Sequence, residues 1–265
     1  QAVSRGLGDV YKRQAYLDTT KSLDTLIVGA GFAGMYSLHK QLSDGFKAEI
    51  YEQADDVGGT WYWNRYPGAR CDIESMDYSY SFSEELQQEW NWKEKYGTQP
   101  ELLKYAQYVS KKFNLRDKIN FNTKITKANF NEKYQNWFIK TDKNEVITTK
   151  NLILATGNLS TPNTPHFPGI NEFKGNIYHT GAWPKEMPNF KGKRVGIIGT
   201  GSSGVQSIPI ISETAQQLLV FQRTPNFSLP ARHRDLPEDR RNEYKKNYKK
   251  YLSLIHISEP TRHCL

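Results

Sequence analysis

Two glycine-rich turns contain the residues of this chain whose spacing could bind a nucleotide. A first glycine permits a tight turn, a second lets the backbone approach a pyrophosphate, and a third lets helix and strand pack closely. The amides at the start of the following helix then face the anion. The predicted phosphate-binding residues are Gly29, Gly31, Phe32, Ala33 and Gly34 in the first turn, and Gly199, Thr200, Gly201, Ser202, Ser203 and Gly204 in the second. Either motif alone is a weak signal, since such glycines can also serve only turn geometry and packing.

The residues beyond each turn indicate which nucleotide it binds. Glu52 lies 52 − 29 = 23 positions after Gly29, where a carboxylate can accept hydrogen bonds from ribose hydroxyls and disfavours a 2′-phosphate. Arg223 lies 223 − 199 = 24 positions after Gly199 and is followed by Thr224. Because arginine pairs bidentately with phosphate oxygens, the second turn is expected to prefer NADPH. Alternatively, Arg223 is a surface residue without such a role.

Two further patterns accompany the turns. Residues 58–72 read GGTWYWNRYPGARCD, and residues 173–184 read FKGNIYHTGAWP. The second pattern, F-x-G-x-x-x-H-x-x-x-W-P, lies between the two glycine turns. Its defining residues are Phe173, Gly175, His179, Trp183 and Pro184. Together with the turns, these patterns resemble the flavin-dependent Baeyer–Villiger monooxygenases.

The resemblance implies FAD at the first turn, NADP at the second, and a ketone and O2 as substrates. In that family the flavin is reduced by NADPH, forms a C4a-peroxide with O2, and one oxygen atom is inserted beside the ketone carbonyl. The product is an ester or lactone. An N- or S-oxidising flavin monooxygenase is the alternative within the same class, and a non-catalytic nucleotide-binding remnant is the alternative outside it. Trp183–Pro184 favours the Baeyer–Villiger assignment.

Several further site residues are implied by the resemblance alone. Asp72 would be catalytic, lying near the isoalloxazine and assisting an active-site arginine that this sequence does not include, so the chain by itself is expected to be inactive. The remaining residues expected to line the flavin are Gly59, Thr60, Trp61 and Tyr78. The aromatic residues among them could instead belong to a core. His179 is either a structural hydrogen-bonding residue or a link between domain position and cofactor state.

The order of apolar segments predicts an α/β protein with two dinucleotide-binding, Rossmann-like β-α-β units. Strands at 24–28 and 48–51 flank a helix, and strands at 194–198 and 218–222 flank another that Pro209 should shorten or kink. Segments 121–129, 135–141 and 145–149 predict an antiparallel meander in the first unit, followed by a separate strand at 151–155. The predicted domains are an FAD-binding part (15–158), a linker (159–192), an NADP-binding part (193–231) and the start of a helical region (232–251). The fold is expected to be incomplete at the C-terminus.

The two ends of the chain are expected to be adapter-derived tails, at residues 1–14 and 252–265. One nucleotide string that encodes SRGLGDVYKRQ has a reverse complement encoding LSLIHISEPTR, and both peptides are present, at 4–14 and 252–262. The string also resembles a transposon-type sequencing-library adapter. These segments are therefore excluded from reasoning about the fold.

Composition excludes several other classes of protein. The net charge is +8, but residues 232–251 supply 8 − 4 = +4 of it, which predicts a solvated helix rather than a nucleic-acid site. Cys264 lies in a predicted tail, so Cys71 is the one cysteine left and a reducing cytoplasm is expected. The histidines lack metal-ligand spacing. No apolar run reaches the roughly 20 residues that span a bilayer, so no membrane partner is expected.

Overall fold

The computed structural model describes residues 21–158 and 160–251, and both predicted tails lie outside this range. The chain forms two compact units. Among the described residues, the first comprises 21–62, 106–158 and 160–161, and the second comprises 63–105 and 162–251. The sequence predicts 15–158 as one FAD-binding part, whereas the contacts group Trp63–Tyr105 with the second unit.

The first unit is built on a six-stranded sheet. Its strands are β1 (Lys21–Val28), β2 (Ala48–Tyr51), β3 (Ile119–Asn120), β4 (Ile125–Asn131), β5 (Asn136–Thr141) and β6 (Val146–Leu154), in the order β3-β2-β1-β6-β5-β4. The pairs among β3, β2, β1 and β6 are parallel, and β6-β5 and β5-β4 are antiparallel. Helix α1 (Phe32–Ser43) connects β1 to β2. The predicted α/β class is confirmed.

The last strand of this sheet differs from the sequence prediction. A meander strand at 145–149 and a separate strand at 151–155 were expected, but β6 is one strand through both. Its first half pairs with β5, and most of its length pairs with β1, including Thr25 with Asn151. Lys150 and Asn151 lie inside the ladder and hydrogen-bond to Asp24. Polar residues at 150–151 therefore do not end the strand, because β1 supplies partners for their side chains and backbone.

Two apolar clusters occupy opposite faces of the sheet. Leu26 and Ile27 are both fully buried but belong to different clusters, because successive side chains of a strand point to opposite faces. The larger cluster joins the sheet to α1 and to the C-terminal half of the helix Gln99–Lys112. Burial on both faces is typical of parallel sheets and holds the carboxyl ends of β1, β2 and β6 in place.

The second unit contains a β-α-β motif and several shorter elements. Strands β7 (Arg194–Ile198) and β8 (Gln217–Phe221) are parallel and are connected through the helix Ser202–Ser212. The helix Ser202–Ser212 is α5 in chain order. The other helices with residues in this unit are α2 (Thr60–Trp63), which ends in it, α3 (Glu84–Glu89), α4 (Gln99–Lys112), whose residues from 106 onward belong to the first unit, and α6 (Glu238–Lys246). Pro209 lies inside α5, and the helix continues for three residues beyond it.

Helix α6 corrects the expectation of a solvated helix at 232–251. Tyr244 and Tyr248 are buried, at 9% and 4% exposure. The Tyr244 hydroxyl donates a hydrogen bond to Asp77, and the Tyr248 hydroxyl lies near the sulfur of Met76. Burial raises the pKa of Tyr248 to about 12. The lysines carry the charge on the outside, while the tyrosines at helical spacing fix the helix to residues 76–77 of the same unit.

Candidate nucleotide-binding sites

The first glycine turn begins at the carboxyl end of β1. Gly29 has φ +102°, a conformation that favours glycine, and its amide donates to the carbonyl of Tyr51 at 2.9 Å. A Cβ on Gly29 would lie 2.6 Å from the carbonyl oxygen of Ala155, so a side chain would collide with the chain leaving β6. The turn is therefore set between the ends of β2 and β6.

The other glycines of this turn are in close contact with backbone. A Cβ on Gly34 would lie 1.9 Å from the Gly29 oxygen, and one on Gly59 would lie 2.8 Å from Cα of Gly31. Gly31 caps α1 without a side-chain hydrogen bond, and the first turn of α1 has no acidic residue. Phe32 is half-buried against the core, and Ala33 is exposed. This side-chain-free cradle at a helix N-terminus fits a pyrophosphate, as the motif predicts.

Glu52 is buried at the end of β2. Its Oε2 accepts a hydrogen bond from the Ala30 amide at 2.6 Å, and its Oε1 accepts one from the Ala54 amide at 2.8 Å. The carboxylate thus ties the glycine turn to the chain after β2, a function that sequence spacing did not reveal. Each carboxylate oxygen can accept more than one hydrogen bond, so these two contacts leave acceptor capacity for ribose hydroxyls. The expected contact with ribose stays a prediction.

The aromatic segment after Gly59 is divided between the units. Thr60 is exposed, whereas Trp61 is 8% exposed and belongs to the first unit. Asp72 and Tyr78 belong to the second unit, Asp72 being exposed and Tyr78 half-buried. Cys71, beside Asp72, is buried, and burial raises the pKa of its thiol. Their predicted contacts with a flavin stay predictions.

The second glycine turn repeats the backbone of the first. Gly199 has φ +100°, and its amide donates to the carbonyl of Phe221 at 2.9 Å. A Cβ on Gly204 would lie 2.5 Å from the Gly199 oxygen. Gly201 caps α5 without a side-chain hydrogen bond, Ser202 is exposed and Ser203 half-buried, and no acidic residue lies in the first turn. This turn likewise fits a phosphate group.

Two residues that sequence reasoning missed hold the middle of this turn. The Gln222 side chain donates to Oγ1 of Thr200 at 2.8 Å, and the Asn226 side chain donates to the Thr200 carbonyl at 3.0 Å. Gln222 directly follows β8, as Glu52 directly follows β2, and it lies 222 − 199 = 23 positions after its first glycine. Arg223 and Thr224 follow it and are exposed. The position of the acid is therefore occupied by a neutral amide, with a guanidinium next to it.

The F-x-G and H-x-x-x-W-P residues each make a local contact in the second unit. A Cβ on Gly175 would lie 2.6 Å from the ring of Phe173, so the ring folds over the glycine. The Gly181 amide donates to Nδ1 of His179 at 3.1 Å, which caps the short 3-10 helix Thr180–Ala182. Pro184 follows Trp183, and both are half-buried. This geometry gives His179 a structural contact, and its proposed coupling role stays a prediction.

A model of the flavin-binding monooxygenase-like family matches residues 23–236. The chain belongs to this family. A Baeyer–Villiger monooxygenase from Pseudooceanicola batsensis is 46% identical over 226 residues, covering 85% of this chain and 41% of the relative. A phenazine N-monooxygenase from Lysobacter antibioticus is 44% identical over 234 residues, covering 88% and 43%. The resemblance inferred from the motifs is confirmed.

Solved structures agree with these relatives. An oxidized steroid monooxygenase bound to NADP superposes with a TM-score of 0.83 at 53% identity, covering 86% of this chain and 44% of that one. The chain spans less than half the length of the relatives and structures it matches.

Two structural features were not found among the described residues of this flavin-binding monooxygenase-like chain. No group of three or more His, Cys, Asp or Glu side chains is placed to hold a metal ion. No described helix is long and apolar enough to cross a membrane.

Proposed function

We propose that this chain carries the FAD site and the NADPH site of a monooxygenase that inserts one oxygen atom of O2 beside a ketone carbonyl. The reaction consumes ketone, O2, NADPH and a proton, and yields an ester or lactone, NADP⁺ and water. The observation that carries the proposal is the pair of glycine turns with matching backbones and different partners, Glu52 in one and Gln222–Arg223 in the other. One turn suits a dinucleotide with free ribose hydroxyls, and the other suits one with a 2′-phosphate.

At the first turn, the α1 N-terminus holds the FAD pyrophosphate. Gly31 and Gly59 leave the space that the phosphates need, because neither carries a Cβ. Glu52 accepts a hydrogen bond from a ribose hydroxyl while keeping its contacts with Ala30 and Ala54. When bound, FAD supplies the redox chemistry that activates O2.

At the second turn, the α5 N-terminus holds the NADPH pyrophosphate. Gln222 and Asn226 keep Thr200 in place, and Arg223 pairs with the 2′-phosphate, with Thr224 assisting. The neutral Gln222 introduces no charge that would repel the phosphate. Asp72 orients the active-site arginine of the whole protein, a residue that this sequence does not include. His179 keeps the shape of the segment that leads into the NADPH site.

The similarity to a phenazine N-monooxygenase supports a second candidate function, oxidation of an aromatic ring nitrogen. Its 44% identity is close to the 46% of the Baeyer–Villiger relative, so identity alone does not separate a ketone from a heteroaromatic substrate. We favour the ketone because the F-x-G-x-x-x-H-x-x-x-W-P segment is present in full.

The proposal includes small-molecule substrates, with no nucleic-acid or membrane partner, in a cytoplasmic setting. Cys71, the one cysteine among the described residues, is buried and free, and this supports a reducing compartment.

Binding is tested first on this chain and activity second. Flavin fluorescence quenching and calorimetry should show FAD binding lost in Gly31→Val and retained in Gly201→Val, with the reverse result for NADP⁺. For activity, residues 23–236 replace the matching part of the P. batsensis monooxygenase, and the chimera receives FAD, NADPH and parallel panels of cyclic ketones and N-heteroaromatics. Lactones analysed by mass spectrometry are expected. N-oxides without lactones would favour the second candidate, and loss of neither nucleotide in the two glycine variants would refute both.

A further inference from the structure

One side chain of α5 holds the segment Tyr66–Arg70 in the second unit. Oε1 of Gln206 accepts a hydrogen bond from the Tyr66 hydroxyl at 2.8 Å and another from the Arg70 amide at 3.3 Å. Its Nε2 donates to the Arg70 carbonyl at 3.0 Å. The carboxamide therefore pairs with both backbone groups of Arg70, as a neighbouring β-strand would.

The same segment lies directly on the backbone of α5. Gly68 has φ +78°, and a Cβ there would lie 2.2 Å from the carbonyl oxygen of Gln206 and 3.0 Å from Cγ1 of Ile210. Only glycine permits this approach, since a side chain would force the segment off the helix. Hydrogen bonds and steric contact thus fix Gly68 and Arg70 to one turn of α5.

The opposite edge of the segment is fixed by a second stretch of backbone. The Cys71 amide donates to the Gly97 carbonyl at 2.9 Å, and the Gln99 amide donates to the Ala69 carbonyl at 2.8 Å. Arg70 forms an antiparallel bridge with Thr98. Residues 69–71 are consequently held from both sides, and Asp72 is the first exposed residue after them.

Helix α5 also carries the second glycine turn at its N-terminus. Gln206 lies four residues after Ser202, which is about 6 Å along the helix axis. From this arrangement we infer that Gln206 is a positioning residue for Asp72, and that a nucleotide bound at the glycine turn stabilises the position of Asp72 through it. The inference rests on the proposed function, in which the turn binds NADP⁺.

The physical basis is that Arg70 is hydrogen-bonded directly to α5. A displacement of α5 must either carry Arg70 with it or break the three hydrogen bonds of the Gln206 carboxamide. An anion that orders the first turn of α5 reduces such displacements. The amides of residues 70–72 should then exchange with solvent more slowly.

The test is amide hydrogen exchange of the 15N-labelled 265-residue chain, monitored by NMR with and without NADP⁺. NADP⁺ should slow exchange at 201–205 and, by about tenfold, at 70–72, the size expected when hydrogen bonds of this kind are reinforced. In Gln206→Met, which keeps the side-chain length but removes the carboxamide, the effect at 70–72 should fall below about twofold while that at 201–205 persists. Tyr66→Phe removes one of the three hydrogen bonds and should give an intermediate effect.

Gln216→Met is the matched control, since Gln216 is exposed and lies after α5, and it should behave as the unsubstituted chain. A purely structural role for Gln206 would change exchange equally with and without NADP⁺, so the NADP⁺-dependent difference is the readout. Protection at 201–205 without any change at 70–72 in the unsubstituted chain would overturn the inference and leave the proposed function intact. Absence of protection at both places would overturn both, and an undiminished effect in Gln206→Met would overturn the inference alone.

Discussion

The two glycine turns share a backbone and differ in what surrounds it. In both, the first glycine has φ near +100° and its amide donates to the last strand residue across the turn, Tyr51 or Phe221. A Cβ on Gly29 would collide with the carbonyl oxygen of Ala155, 2.6 Å away. For a Cβ on Gly199, no atom of the described residues beyond its chain neighbours lies within 4 Å. The motif thus sets the backbone of the turn, and the residues around it decide how much of the fold depends on that turn.

The residue 23 positions after the first glycine shows the same difference. Glu52 is buried and accepts two backbone amides, whereas Gln222 is exposed and donates to the side chain of Thr200. At this position Glu52 therefore holds the first turn through its two carboxylate oxygens. Gln222 instead gives the second turn a neutral side chain beside Arg223. Four predictions test this comparison, in order of decreasing effect.

The first prediction concerns the leading glycines. Gly29→Ala should lower the free energy of unfolding by about 2–5 kcal/mol, because a left-handed φ costs about 1–2 kcal/mol and the collision with Ala155 adds about 1–3 kcal/mol. Gly199→Ala should cost only the conformational part, about 1–2 kcal/mol. Urea unfolding followed by circular dichroism measures both. Equal losses would show that the surroundings of the two turns do not matter.

The second prediction exchanges the residues at the shared position. Glu52→Gln should destabilise the first unit by about 2–3 kcal/mol, since the new amide has one acceptor oxygen for two backbone donors and places a donor against a donor. Gln222→Glu should change the free energy of unfolding by less than about 0.5 kcal/mol, because exposed substitutions of this kind have small effects. The same unfolding experiment decides it. A costly Gln222→Glu with a harmless Glu52→Gln would reverse the comparison.

The third prediction concerns the phosphate. Arg223→Gln should weaken NADP⁺ binding by about 1–3 kcal/mol, the range of a hydrogen bond to a charged group, with little change for NAD⁺ and none for FAD. Calorimetric titration of all three nucleotides measures it. Arg194→Gln, at the start of β7 and away from the turn, is the control. Equal losses for NADP⁺ and NAD⁺ would show that Arg223 does not recognise the 2′-phosphate.

The sequence predicted these turns well because their determinants are local. In each unit the glycines, the two apolar strands and the intervening helix lie within about 30 residues, at 21–51 and 194–221. Each strand or helix is short enough for its periodicity to be recognised from neighbouring residues. The Phe173–Gly175 and His179–Gly181 contacts are local too. The motif includes both residues of the first pair but only His179 of the second.

What the sequence did not reveal depends on partners far along the chain. The fusion of 145–149 and 151–155 into β6 requires pairing with β1, more than 120 residues earlier, since Ile147 pairs with Lys21 and 147 − 21 = 126. The buried Tyr244 donates a hydrogen bond to Asp77, and the Arg70 carbonyl accepts one from Gln206. A polar residue at such a position resembles any surface residue until its partner is known.

The last prediction is the smallest and isolates the support of the second turn. Thr200→Val removes the hydroxyl that accepts from Gln222, while Asn226 still donates to the carbonyl of residue 200. The hydroxyl also accepts a longer hydrogen bond of 3.3 Å from the Asn226 side chain. Loss of these two exposed hydrogen bonds should cost about 0.5–1 kcal/mol in stability, and NADP⁺ affinity should fall less than threefold. Ala30→Val is the parallel change in the first turn. It places a larger side chain at a fully buried position beside Glu52, and it should cost about 1–3 kcal/mol through overpacking. Differential scanning fluorimetry of the two variants should give a clearly lower melting temperature for Ala30→Val. Equal shifts would mean that the second turn is as tightly enclosed as the first, contrary to the geometry around Gly199.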